Sequence, residues 1–327
     1  MKKILLLDTS IGTSNMGDYI IMECVRNELD FLLRDSFVYD MPTHLPPFHA
    51  FAVLRNSLAV QNYATADLKF AGGSNLLVKD LKTHYPQWNI HYFDSKPLAG
   101  TILVGVGAGA GEATNRYTTK LYNKVLSHEF YHSVRDERSK KYVETVLGLK
   151  AINTGCVTMW MLTPAFCRQI PTGKASRVVF TLTGRANVAS VDKEDQTLID
   201  LLKERYEKVY FWVQGDQDAA YFKRAKNTDG ITVVPPSLSA YDKLLSEPDL
   251  DYVGTRLHGG IYAMRHKKRA IILAIDERAR EIHSANHLNC IEKSKVPSEL
   301  DGMICTDFET KITMPFDEIE RWKSQFV

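Results

Sequence analysis

Between residues 178 and 287, short runs rich in Val, Ile, Phe and Tyr alternate with longer stretches of helical spacing. No other feature of the chain restricts its fold as strongly. The runs Val178–Thr183, Val209–Val213, Ile231–Val234, Asp251–Thr255 and Ala270–Ile275 are apolar at consecutive positions, as strands covered on both faces must be. The intervening stretches Asp192–Tyr206, from Asp216, Ser237–Leu245, Leu257–His266 and Glu277–His287 are polar on one side and long enough to cross back over a sheet. Such alternation predicts parallel strands joined by right-handed crossovers.

The first half repeats the pattern less regularly. Ile4–Leu7 is a predicted strand, followed by the polar, glycine-bearing turn Asp8–Asp18 and a helix over Tyr19–Leu33 with Asp18 as N-cap. Three prolines make Met41–Pro47 an irregular loop. Strand Asp67–Ala71 runs into Gly72, Gly73, Ser74 and Asn75, and strand Thr101–Val106 into Gly105, Gly107, Gly109 and Gly111. A helix over Tyr117–Phe130, a short strand His132–Val134 and a second helix ending near Gly148 complete this half. The pattern resets over Ala151–Thr163, and Pro164, Pro171 and Gly173 mark a linker. Pro315–Phe326 reads as a terminal amphipathic helix. The expected architecture is α/β: two Rossmann-like domains, 1–155 and 156–327, facing each other across a cleft, with the terminal helix in the second.

Composition removes several classes of function. With 41 basic and 39 acidic residues the net charge is +2, which gives no case for a nucleic-acid partner. Five scattered cysteines without CxxC spacing argue against a disulfide framework or a structural zinc site and fit a reducing compartment. The first apolar run ends at Asp8, too short for a signal peptide, and no stretch is long enough to span a bilayer. A cytoplasmic protein without an integral membrane segment is therefore expected. GxSxG, GxGxxG and P-loop patterns are absent, which leaves nucleophilic catalysis and dinucleotide binding without support, and the pair His283/His287 lacks an acidic pair at ligand spacing, so no metal site is expected.

What remains is chemistry at the strand ends, where open α/β sheets bind ligands. Gly254-Thr255-Arg256-Leu257-His258-Gly259-Gly260 closes a predicted strand and opens a helix. Arg256 is a permanent cation with a planar fork suited to carboxylate or phosphate. His258 can give up and regain a proton near neutrality, and an anion bound beside it favours the imidazolium, the acid form. Arg135 ends another predicted strand. It is a second candidate for anion binding, or a partner of Asp136 or Glu137 on a solvated face.

Six short segments in this order resemble the polysaccharide pyruvyl transferase family. They are Asn15-Met16-Gly17-Asp18, Ala71-Gly72-Gly73-Ser74, Val104–Gly109, Ser133–Ser139, Asn153-Thr154-Gly155-Cys156 and Thr255-Arg256-Leu257-His258. The resemblance implies a fold like that of the B-type glycosyltransferases, with the active site in the interdomain cleft. It implies phosphoenolpyruvate as donor, formation of a pyruvate ketal on a sugar with loss of phosphate, and no cofactor. The acceptor would be a sugar, a nucleotide sugar or a lipid-linked glycan, and a homo-oligomer is compatible with the sequence. By the same resemblance Arg135 and Arg256 would hold the donor's carboxylate and phosphate, and His258 would be the general acid. Asn15, Gly17, Asp18, Gly72, Gly73, Ser74 and Asn75 are candidate loop or acceptor contacts. Ala274-Ile275-Asp276-Glu277-Arg278 departs from the family pattern, with Arg278 standing where many relatives have a lysine. The competing readings are a nucleotide-sugar-dependent glycosyltransferase and a non-catalytic sugar-binding relative.

Overall fold

A computed structural model describes residues 1–82, 87–109, 114–185, 188–275 and 277–327, apart from the side chains of 277–279. Gly111 and the side chain of Arg278 therefore lie outside the described residues. The chain divides into two compact units. The first comprises Met1–Thr13, Ile21–Trp160 and Pro315–Val327; the second comprises Ser14–Ile20 and Met161–Met314. Among the described residues, no helix is long and apolar enough to cross a membrane.

The first unit is built on β1 (Lys2–Asp8), β2 (Ser36–Pro42), β3 (Leu68–Gly72) and β4 (Thr101–Val104), hydrogen-bonded in the order β2-β1-β3-β4. All its pairings are parallel. A bridge between Val106 and Val134 carries the pattern on to the parallel pair β5 (His132–Val134) and β6 (Ala151–Asn153). Leu5, Leu7, Ala71 and Leu103 from the strands pack with Leu121, Tyr122 and Val125 of helix Arg116–Val125. Only the last two residues of strand β2, Met41 and Pro42, fall in the expected irregular loop Met41–Pro47; they pair in register with Leu7 and Asp8 of β1, and Pro42 is tolerated because β2 is an edge strand.

The terminal helix, expected in the second half, belongs to the first unit as Phe316–Lys323. Aromatic packing accounts for this. Trp322 is fully buried, meets Phe70 and Trp160 edge to face, and donates from Nε1 to the Tyr131 carbonyl at 2.8 Å. Phe326 extends the cluster to Phe130.

The second unit holds one six-stranded parallel sheet of β7 (Arg177–Thr181), β8 (Lys208–Trp212), β9 (Thr232–Val234), β10 (Leu250–Gly254), β11 (Ala270–Ala274) and β12 (Cys290–Glu292). Its order is β12-β11-β10-β7-β8-β9. The chain moves outward from β7 to β9, then restarts on the other side of β7 and moves outward again from β10. The direction of winding reverses between β7 and β10, and ligands of doubly wound sheets bind outside the carboxyl ends at such a point. Phe180, Phe211, Val253 and Ile271 fill the core against Leu198 and Leu202 of helix Lys193–Arg205 and Leu300 of helix Val296–Cys305.

One buried titratable group holds β5 in place. His132 Nδ1 accepts from the Leu103 N–H at 3.2 Å, so Nε2 carries the proton and donates to the Ser127 carbonyl at 3.0 Å. Burial lowers its pKa to about 4, against about 6.5 in an unfolded chain. As pH falls from 6.5 toward 4 the unfolded chain takes up a proton that the native state does not, so stability present above that window is lost through it. The expected loss is about 3 kcal/mol. Urea unfolding at a series of pH values should show it, and His132→Gln should flatten that part of the profile. An unchanged slope in the variant would refute the assignment.

Candidate active site

In the second unit the site grows from the carboxyl ends of β7 and β10. Gly254 must be glycine: a Cβ there would lie 2.4 Å from Thr181 Oγ1 on the adjacent strand. Thr181 Oγ1 accepts from the Arg256 N–H, and the Thr183 and Thr255 hydroxyls meet at 2.9 Å. Arg256 caps helix Leu257–Arg265, which places His258 in the first turn, buried.

A wall of aromatic side chains holds this turn. Tyr252 donates to the Arg256 carbonyl at 2.7 Å, and Tyr241, stacked on Trp212, donates to the Gly259 carbonyl at 2.9 Å. Burial holds both phenols well above their ordinary range, so each remains a donor at neutral pH. The paired glycines behind His258 are explained by the same wall. A Cβ on Gly259 would sit 2.7 Å from Gln214 Oε1, and one on Gly260 2.7 Å from the Tyr252 ring.

Arg256 is bound along one edge. Its Nε donates to Asp218 Oδ2 at 3.2 Å and to the Leu182 carbonyl at 3.3 Å, and its Nη2 donates to Asp218 Oδ1. Asp218 is fully buried and also accepts from the Gly184 and Gly215 N–H groups, each at 2.8 Å. The carboxylate thus has four donors, and the edge of the guanidinium that carries Nη1 is directed away from it. Nothing in the sequence pointed to Asp218, which lies in the first turn of a short helix 38 residues before its partner.

Asn15, Gly17 and Asp18 were expected on the first domain; the structure puts them in the second unit. The chain crosses over at Ser14–Ile20, and the Met16 N–H donates to the Gln214 carbonyl at 2.8 Å. Helix Met16–Glu28 starts two residues before Asp18, so Asp18 is not its N-cap but a first-turn residue, accepting from Asn15 Nδ2 at 3.3 Å. The Asn15 side chain accepts from the Gly17 N–H at 3.1 Å and from Gln214 Nε2 at 3.4 Å. Gln214 therefore joins this turn to the His258 helix, and its buried Oε1 has no hydrogen-bond partner among the described residues.

The other predicted residues gather in the first unit. Gly73 has φ +54°, and a Cβ on it would lie 2.1 Å from Ile21 Cγ2; one on Gly72 would lie 2.7 Å from Met22 Sδ. The left-handed backbone at Gly73 requires glycine, whereas a side chain at Gly72 would have to displace the Met22 thioether. Ser74 Oγ and the Asn75 N–H both donate to Gln87 Oε1, at 2.6 and 2.9 Å. Asn75 Oδ1 in turn accepts from Arg135 Nη2 at 2.6 Å. Arg135 Nε reaches Asp136 at 3.3 Å, but the side chain is buried, not on a solvated face. Its guanidinium lies on the backbone of Gly107, where a Cβ would be 2.4 Å from Cζ. Gln87 left no signal because its segment has no periodicity. Among the described residues, no group of three or more His, Cys, Asp or Glu side chains is placed to hold a metal ion.

Comparison with known proteins adds to this geometry. A profile of the polysaccharide pyruvyl transferase family matches residues 15–277. A search of curated proteins found no match. Solved structures are similar across the full chain. The UDP-GlcNAc 2-epimerase of Methanocaldococcus jannaschii has a TM-score of 0.57 at 13% identity, covering 100% of this chain and 99% of its own. That of Neisseria meningitidis has a TM-score of 0.53 at 12% identity, covering 99% of this chain and 100% of its own. At such identities the likeness speaks to fold alone: paired Rossmann-like units with parallel sheets, as in the B-type glycosyltransferases.

Proposed function

The chain belongs to the polysaccharide pyruvyl transferase family, and from that premise we propose that it transfers pyruvate as a ketal from phosphoenolpyruvate to a sugar. The carrying observation is the placement of Arg256 and His258 at the end of β10, beside the point where the winding of the sheet reverses.

In the proposed reaction His258 protonates the methylene carbon of the enol, and the electron pair of the double bond forms the new C–H bond. The central carbon becomes oxocarbenium-like, and a sugar hydroxyl attacks it. A second hydroxyl then displaces phosphate, which leaves with the phosphoester electron pair, closing the ketal. The proton lost by the first hydroxyl restores His258, and the proton lost by the second leaves with the phosphate. The outward edge of Arg256 binds an anionic group of the donor, with its orientation fixed by Asp218. Arg135 is assigned an anion-binding role in the first unit. The helix N-terminus at His258 works against an imidazolium, and an anionic group of the donor bound beside it favours the acid form. The reading requires no cofactor beyond phosphoenolpyruvate.

The acceptor is a sugar hydroxyl pair on a free, nucleotide-linked or lipid-linked glycan. Incubating the protein with phosphoenolpyruvate and a panel of these should release phosphate only in the presence of the right acceptor. Release of nucleotide from a nucleotide sugar, with none of phosphate from phosphoenolpyruvate, would replace this reading by glycosyl transfer. Binding without turnover of any donor would replace it by a sugar-binding role.

A further inference from the structure

Two neighbouring stretches of the first unit leave large apolar side chains in solvent. On helices Ala50–Leu54 and Leu58–Ala64, Phe51, Leu54 and Leu58 are 64%, 71% and 74% exposed. In the turn before the short 3-10 segment Lys96–Leu98, Tyr92 and Phe93 are 47% and 73% exposed. The stretches adjoin, because helix Leu58–Ala64 packs on Lys96–Leu98. Lys69 Nζ ties their ends by donating to the carbonyls of Ala64 and Ala99, at 3.0 and 2.8 Å. Val60, about 200° round the helix from Leu58, is the residue that faces the core. Scattered exposed hydrophobics need no explanation, but a group on adjoining segments marks an interaction surface.

Within the two stretches the exposed charge has one sign. Residues 41–66 contain no Asp or Glu, and Asp94, the one acid of residues 87–99, is buried. Arg55 and Lys96 are exposed. Lys124 crosses over Tyr92, its Nζ 4.0 Å from the ring centroid and bonded to the Tyr92 carbonyl. Leucine and aromatic side chains that enter the acyl boundary, with cations at headgroup level, are the pattern of surface attachment to anionic lipid.

We propose that this face of the first unit docks reversibly on an anionic lipid surface. The inference stands apart from the donor chemistry, since it uses none of Arg135, Arg256 or His258. Cosedimentation with vesicles of phosphatidylglycerol and phosphatidylcholine, against phosphatidylcholine alone, tests it. The full chain should sediment with the anionic vesicles and be released by salt, as the screening length falls from about 10 Å at 0.1 M to about 3 Å at 1 M. Leu54→Ser/Leu58→Ser/Phe93→Ser should lower partitioning at least ~10-fold at an unchanged melting temperature, because the positions are exposed. Arg55→Gln/Lys96→Gln, which leaves the apolar group intact, should remove the preference for anionic over neutral vesicles. No sedimentation of the wild type, or equal sedimentation of all variants, would overturn the proposal. So would size-exclusion chromatography showing a wild-type dimer that the serine variant dissociates, with no vesicle binding, which would make the face an interface between copies.

Discussion

His258→Ala is expected to lower kcat by ~10²–10⁴-fold, the usual worth of a positioned general acid, while phosphoenolpyruvate still binds within a few-fold of wild type. The separation follows from how the turn is held. The carbonyls on either side of His258, those of Arg256 and Gly259, are fixed by the Tyr252 and Tyr241 hydroxyls. Neither bond involves the imidazole. On the proposed reading, removing the ring takes away the proton source, while the Tyr252 and Tyr241 bonds to the backbone and the Arg256–Asp218 bonds, none of which the imidazole makes, remain. Calorimetric titration with phosphoenolpyruvate gives the binding arm, and phosphate release with a confirmed acceptor gives the turnover arm. Wild-type turnover in the variant would remove His258 from the catalytic role. A parallel collapse of binding and turnover would make it a binding residue instead.

Most of the framework was legible in the sequence because its strands are central, apolar on both faces and bounded by glycine. Val178–Thr183 and Asp251–Thr255 were placed to within two residues of β7 and β10, and the position of Arg256 and His258 followed from those strand ends. Elements resting on edge pairing were not legible. β2 pairs through backbone with β1 alone, and β12 is a three-residue strand at the sheet's rim. The terminal helix showed its amphipathicity but not its destination, because the Phe70, Phe130 and Trp160 rings that receive it are remote in sequence. The site was half legible for the same reason. Gly72, Gly73 and Gly254 were visible as strand-end glycines, and the need for glycine at Gly73 and Gly254 is a local matter of contact and φ. Asp218, Gln214 and Gln87 act across folded loops on residues that carry recognisable patterns, and have no pattern of their own. The crossover at Ser14–Ile20, which takes Asn15 out of its expected domain, is likewise set by a tertiary contact, that of Met16 with Gln214.

Asp218 changes what a substitution at Arg256 will report. Arg256→Ala leaves a fully buried carboxylate with two backbone N–H partners and no cation. Breaking a buried pair in this way costs about 3–5 kcal/mol, so a loss of donor binding in that variant is confounded with a loss of fold. Adding Asp218→Asn removes the stranded charge, and the double variant should be more stable than the sum of the single losses predicts, by about 1–3 kcal/mol in urea unfolding. Additive losses would mean that the two side chains do not act as a unit. Arg256→Lys then isolates the binding role. An ammonium can neutralise Asp218 but cannot also present a second planar edge to an anion. Stability should therefore stay near wild type while the KM for phosphoenolpyruvate rises roughly 10-fold or more, in line with the loss of a charge-assisted hydrogen bond. The KM for the acceptor should not move. An unchanged donor KM in Arg256→Lys would show that Arg256 serves only as the internal partner of Asp218, and donor recognition would have to be sought elsewhere, first at Arg135.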